Sequence, residues 1–76
     1  MSGKRIFVFD PNAQTAALMM GNLKKQHPGA EFMVSTEAAS AVNLLQENNY
    51  DVYCVCSQFR NTRDEAITHL RELPHR

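Results

Sequence analysis

Tyr50-Asp51-Val52-Tyr53-Cys54-Val55-Cys56-Ser57 is the stretch whose reading decides the fold. It is nearly free of charge, rich in β-branched and aromatic residues, and bounded by polar residues on both sides. That composition suits a strand buried on both faces better than a helix. A second run of the same kind, Ile6-Phe7-Val8-Phe9, ends at Asp10, and helical periodicity separates the two. As parallel strands of one sheet they would bring Asp10 and Cys56 together on the C-terminal edge, where open α/β sheets keep their chemistry.

Outward from these runs, the chain alternates strand and helix. Lys4 to Asp10 reads as strand one, and Asp10-Pro11-Asn12 ends it because proline lacks the N–H a central strand needs. Asn12 is a fitting N-cap for a helix over Ala13 to Gln26. Ala16, Met19, Met20 and Leu23 form its apolar stripe, Lys24 and Lys25 suit the dipole of its last turn, and His27-Pro28-Gly29 stops it. Ala30 to Ser35 is shorter and more polar, and reads as an edge strand. Ser35 or Thr36 then caps a second helix with the stripe Ala38, Ala41, Val42 and Leu45, ended by Asn48-Asn49. After strand three, Gln58 to Asn61 reads as a loop. Thr62-Arg63-Asp64-Glu65 fits a capping box for a third helix with apolar Ile67, Leu70 and Leu73, closed by Pro74. The predicted class is α/β: a three-layer βαβαβα domain spanning 1–76, with right-handed crossovers and a parallel sheet.

The totals narrow the function. With 76 residues the chain holds one small core, and a domain of this size buries only about 60–65% of the surface its unfolded chain exposes. Eight basic residues balance eight acidic ones, so no electrostatic footprint for nucleic acid or an anionic membrane is present. No apolar run approaches the roughly 20 residues that span a bilayer. Met-Ser-Gly-Lys-Arg leads straight into a strand with no signal peptide, and two cysteines in an apolar run read as reduced thiols, so a cytoplasmic location is expected.

The whole chain resembles the first three βα units of the receiver domain of two-component response regulators. Lys4-Arg5-Ile6-Phe7-Val8-Phe9-Asp10 is similar to that family's first strand, which ends in an acidic pair. Glu37-Ala38-Ala39-Ser40-Ala41-Val42-Asn43-Leu44-Leu45 is similar to its second helix. Asn49-Tyr50-Asp51-Val52-Tyr53-Cys54-Val55-Cys56 resembles the third strand, which ends at the phosphorylated Asp, and His69-Leu70-Arg71-Glu72-Leu73-Pro74 resembles the end of the third helix. The resemblance implies a flavodoxin-like half domain with strand order two-one-three. Departures fall on the chemistry. Pro11 follows Asp10 where the family has a second acid, Cys56 stands at the acceptor position, and Arg60-Asn61-Thr62-Arg63 replaces the usual Pro- and Gly-containing loop. The chain also stops before the fourth and fifth strands, which in the family supply the residues that read the phosphoryl group.

These departures point to a degenerate receiver, a signalling module that takes no phosphoryl group and works through protein contacts. Asp10 is then a remnant of the acidic pocket and Cys56 the acceptor-equivalent position, with no catalytic residue, metal or cofactor expected. The alternatives are a phosphoacceptor with an atypical site, and thiol or metal chemistry at Cys54 and Cys56. Two residues apart on a strand, those thiols would share one face. Small buried hydrophobes are the plainer account, and no histidine lies at a zinc-ligand spacing from them. His27, His69 and His75 have no nucleophile near them in sequence. Met19, Met20 and Met33 fit helix packing or an adaptable binding surface. Lacking a fourth strand, strand three would expose an unpaired ladder. Val52, Tyr53, Cys54, Val55 and Cys56 are therefore expected to pair with a second copy, as a homodimer, or with another signalling protein.

Overall fold

A computed structural model describes residues 3–73, and within them the chain forms four strands and three helices. In order they are β1 (Arg5–Phe9), α1 (Ala13–Gln26), β2 (Glu31–Ser35), α2 (Ala38–Glu47), β3 (Val52–Val55), β4 (Gln58–Arg60) and α3 (Arg63–Glu72). The sheet is mostly parallel and runs β2-β1-β3-β4. β1 pairs in parallel with β2, Phe7 opposite Met33, and with β3, Phe7 opposite Tyr53. β4 turns back antiparallel along β3, Cys54 opposite Phe59.

Period-two alternation divides the core between the sheet faces. Phe7, Phe9, Tyr53 and Val55 point to one face and pack with Ala41 and Leu45 of α2 and Ala66 and Leu70 of α3. Ile6, Val8 and Cys54 point to the other and meet Leu23 of α1, with Met19, Phe32 and Val52 at the margin. Tyr50, just ahead of β3, is buried against Phe7, their ring centroids 5.4 Å apart.

Helix ends follow local chemistry. Asn12 caps α1 as its spacing predicts, its Oδ1 accepting from the N–H groups of Gln14 (2.9 Å) and Thr15 (3.1 Å). The cap of α2 differs from expectation: Glu37 holds that position without a side-chain bond, while Ser35 Oγ donates to the Glu37 carbonyl. At α3, Thr62 Oγ1 accepts from Glu65 N–H, which is half of the predicted capping box. The Glu65 carboxylate reaches one residue further back, to Asn61 N–H. The stripe of α3 buries Ala66 and Leu70, with Ile67 and Leu73 only partly covered. The expected stop at Pro74 lies outside the described residues.

Two sequence expectations are corrected here. Gln58 to Arg60 is a strand, not a loop, because a two-residue turn at Cys56-Ser57 folds it back onto β3. Both residues have positive φ, 52° and 64°, the backbone that type I′ hairpin turns require. The second correction follows from the first. With β1 on one side and β4 on the other, β3 has no open ladder, and Tyr53, Cys54 and Val55 are buried. Val52 through Cys56 therefore lack the free edge on which pairing with a second copy depended.

Candidate functional site

Three strand ends converge at the C-terminal edge of the parallel strands. Asp10 follows β1 directly, and its N–H donates to the Ser35 carbonyl at the end of β2 (3.2 Å). On the other side Cys56 N–H donates to the Phe9 carbonyl (2.9 Å). Ser35, Asp10 and Cys56 thus line up across the sheet. Asp10 and Ser35 are buried and Cys56 is half-buried.

Much of Asp10 is committed to local structure. Its Oδ1 accepts from Asn12 N–H at 2.9 Å, closing the turn across Pro11 that launches α1. That bond engages one of the several acceptor lone pairs of the carboxylate. Among the described residues no group of three or more His, Cys, Asp or Glu side chains is placed to hold a metal ion. Asp51, the other acid of the β3 region, lies at the opposite edge, accepting from Arg5 N–H (2.8 Å) while its own N–H donates to the Arg5 carbonyl (2.7 Å).

The two cysteines do not share a face. Cys54 sits in the strand and packs with Ile6, Val8 and Leu23 on the α1 side. Cys56 has left the strand at the turn, and its positive φ carries the side chain to the α2–α3 side. Both thiols are held above their ordinary ionisation range, chiefly by burial and next by the negative Asp10 carboxylate. Each thiol also has a partial counterweight. Arg60 favours the thiolate at Cys56, and the Ser57 N–H does so at Cys54. Thiolate is the nucleophile and the metal ligand, and the structure does not bring these two thiols together on one face as the strand spacing predicted.

That burial has a consequence for stability. A thiol whose ionisation is raised on folding is stabilising below its unfolded value and becomes a liability as pH climbs. Stability should hold level up to about pH 8.5, the ordinary thiol value, and then decline as the unfolded chain's cysteines ionise first. Urea midpoints between neutral and alkaline pH measure this. A Cys54→Ala, Cys56→Ala variant should lose most of the decline; an unchanged slope would mean that the thiols are not shielded as described.

A second cluster, not legible in the sequence, lies where β4 meets α3. Arg60 Nη2 donates to Gln58 Oε1 at 2.7 Å and to His69 Nδ1 at 2.9 Å. Guanidinium only donates, so His69 must offer a lone pair on Nδ1 and carry its proton on Nε2. A shallow groove of about 500 Å³ runs beside this link, bordered by Asp64, Glu65, Thr68 and Glu72. The one signal in the sequence was the Gln58-Phe59-Arg60 alternation, too short to stand out. Of the other histidines, His27 serves as the C-cap of α1, and His75 is outside the described residues.

Compared with known protein families, curated proteins and solved structures, the chain matches none. Among the described residues no helix is long and apolar enough to cross a membrane.

Proposed function

We propose that this chain is a degenerate receiver-like module that takes no phosphoryl group and acts by binding protein surfaces in a cytoplasmic signalling pathway. The observation that carries the reading is the make-up of the C-terminal edge. A single carboxylate, Asp10, is tied into a turn by Asn12 N–H and adjoins a thiol, Cys56, that burial keeps protonated. A hard dication such as Mg²⁺ is held by oxygen ligands, commonly one or two carboxylates with water, and Asp10 alone is a meagre set. Three βα units with the parallel strands ordered β2-β1-β3 support the receiver-like, flavodoxin-like assignment, as does the meeting of Asp10 with the residue after β3. In this reading the module is not an enzyme, needs no cofactor, and has a second copy or another signalling protein as its partner.

Intact-mass spectrometry after incubation with acetyl phosphate and Mg²⁺ tests it. The folded chain should gain no phosphoryl adduct. An adduct mapping to Asp10 or Cys56 would overturn the reading in favour of an atypical phosphoacceptor.

A further inference from the structure

We infer that the chain forms a two-fold dimer through the outer edge of β2. The inference rests on the interaction-module reading for what the dimer serves, and on the sheet geometry for where it forms.

With β3 enclosed, the sheet ends on β4 at one side and β2 at the other. The two edges are not alike. β4 has three residues and runs through Arg60 into Asn61-Thr62-Arg63, the short, charged edge that resists pairing. β2 has five, Glu31-Phe32-Met33-Val34-Ser35, with no lysine, proline or bulge to blunt it. Met33 is 38% and Val34 36% exposed, and Phe32 is half-buried at the margin of the α1 face.

Ladder parity fixes which backbone groups are free. Glu31 N–H donates to the Lys4 carbonyl, and the Ser35 carbonyl accepts from Asp10 N–H, so the odd-numbered residues of β2 turn their backbone toward β1. Phe32 and Val34 then turn theirs outward, away from the sheet. This pattern is complementary to itself. A two-fold axis through Met33 sets Phe32 against the partner's Val34, and Val34 against the partner's Phe32. Each of these two pairs exchanges both of its backbone hydrogen bonds. Met33 meets the partner's Met33 at the close, non-hydrogen-bonded position, where side chains touch most directly. Glu31 falls opposite the partner's Ser35, so the only charge in the strand meets no like charge. Pairing β2 on β4 of another copy would instead leave one edge of each kind open and propagate into filaments. The pattern favours the closed, isologous pair, which joins two four-stranded sheets into one of eight.

Light scattering across a dilution series of the whole chain reads the association. A concentration-dependent dimer is expected. Met33→Lys and Met33→Glu each place like charges face to face across the axis and should weaken it by about fivefold. Mixing the two variants should restore it, because Lys then faces Glu. Circular dichroism confirms that each remains folded, as an exposed site permits. On the unmodified chain, hydrogen exchange at the Phe32 and Val34 amides should slow as concentration rises, with no such change at Phe59. A monomer at all concentrations, or a dimer indifferent to both substitutions, overturns the inference. A monomer that also takes no phosphoryl group would leave the interaction-module reading standing, whereas phosphorylation would remove that reading and leave a β2 dimer intact.

Discussion

Phe7→Ala should cost the domain about 3–5 kcal/mol of its stability. Phe7 is fully buried at the centre of β1, flanked in register by Met33 and Tyr53, stacked at a tilt on Tyr50, and roofed by α2 and α3. Phe-to-Ala changes in such positions cost about 3–5 kcal/mol, the lost transfer energy plus the cavity left behind. At roughly 0.05–0.15 kcal/mol per residue, a chain of 76 residues has only roughly 4–11 kcal/mol to lose. Losing a quarter or more of that lowers the thermal midpoint by roughly 4–8 °C for every kcal/mol. Leu18→Ala is the control, since Leu18 on α1 is 69% exposed and its truncation should be nearly neutral. Urea unfolding followed by circular dichroism compares the two. A loss under about 1 kcal/mol at Phe7 would contradict its place at the packed centre.

Ser57 should respond in opposite directions to two substitutions. Its φ of 64° and that of Cys56, 52°, lie in the left-handed region, which costs an L-residue roughly 1–2 kcal/mol. Type I′ turns favour Asn-Gly for this reason, and Cys-Ser is a poor substitute. Ser57→Gly relieves the strain while loosening the unfolded chain, a net gain of about 0.5–1 kcal/mol. Adding Cys56→Asn brings the pair close to the preferred turn, with a combined gain of about 1–2 kcal/mol and a higher thermal midpoint. Ser57→Val puts a β-branched residue at positive φ and should cost about 1–2 kcal/mol or more. Ser57 is exposed, so packing does not blur the comparison. If Gly and Val proved equivalent, the hairpin would not be turned as described. Strain of this kind gathers at working sites in other proteins. Here it sits at the residue that follows β3, on the edge where Asp10 also lies.

Much of the architecture was legible because local and global signals agreed. The apolar runs at Ile6–Phe9 and Val52–Val55, the Asn12 cap and the Thr62 cap each point to the element that forms. The meeting of Asp10 with Cys56 was legible too, as a consequence of parallel pairing. What escaped was the hairpin. Cys56-Ser57 carries no turn signature, and three residues are too few for alternation to register, so β4 read as a loop and β3 as an open edge. From that one omission came two misreadings at the site: the cysteines assigned to one face, and β3 taken for an unpaired edge. The Arg60–His69 link could not be anticipated, since it exists only once β4 lies beside α3.

Pairing of β3 with β4 inside one chain is tested most directly by nuclear Overhauser measurements on a sample mixing isotope-labelled and unlabelled protein. Cys54 and Phe59 face each other across that ladder, and their cross-strand contact should appear only within a single labelled molecule. A contact arising only between labelled and unlabelled molecules, with Phe59 distant from Cys54 in its own chain, would contradict it. β3 would then take its outer partner strand from a second copy.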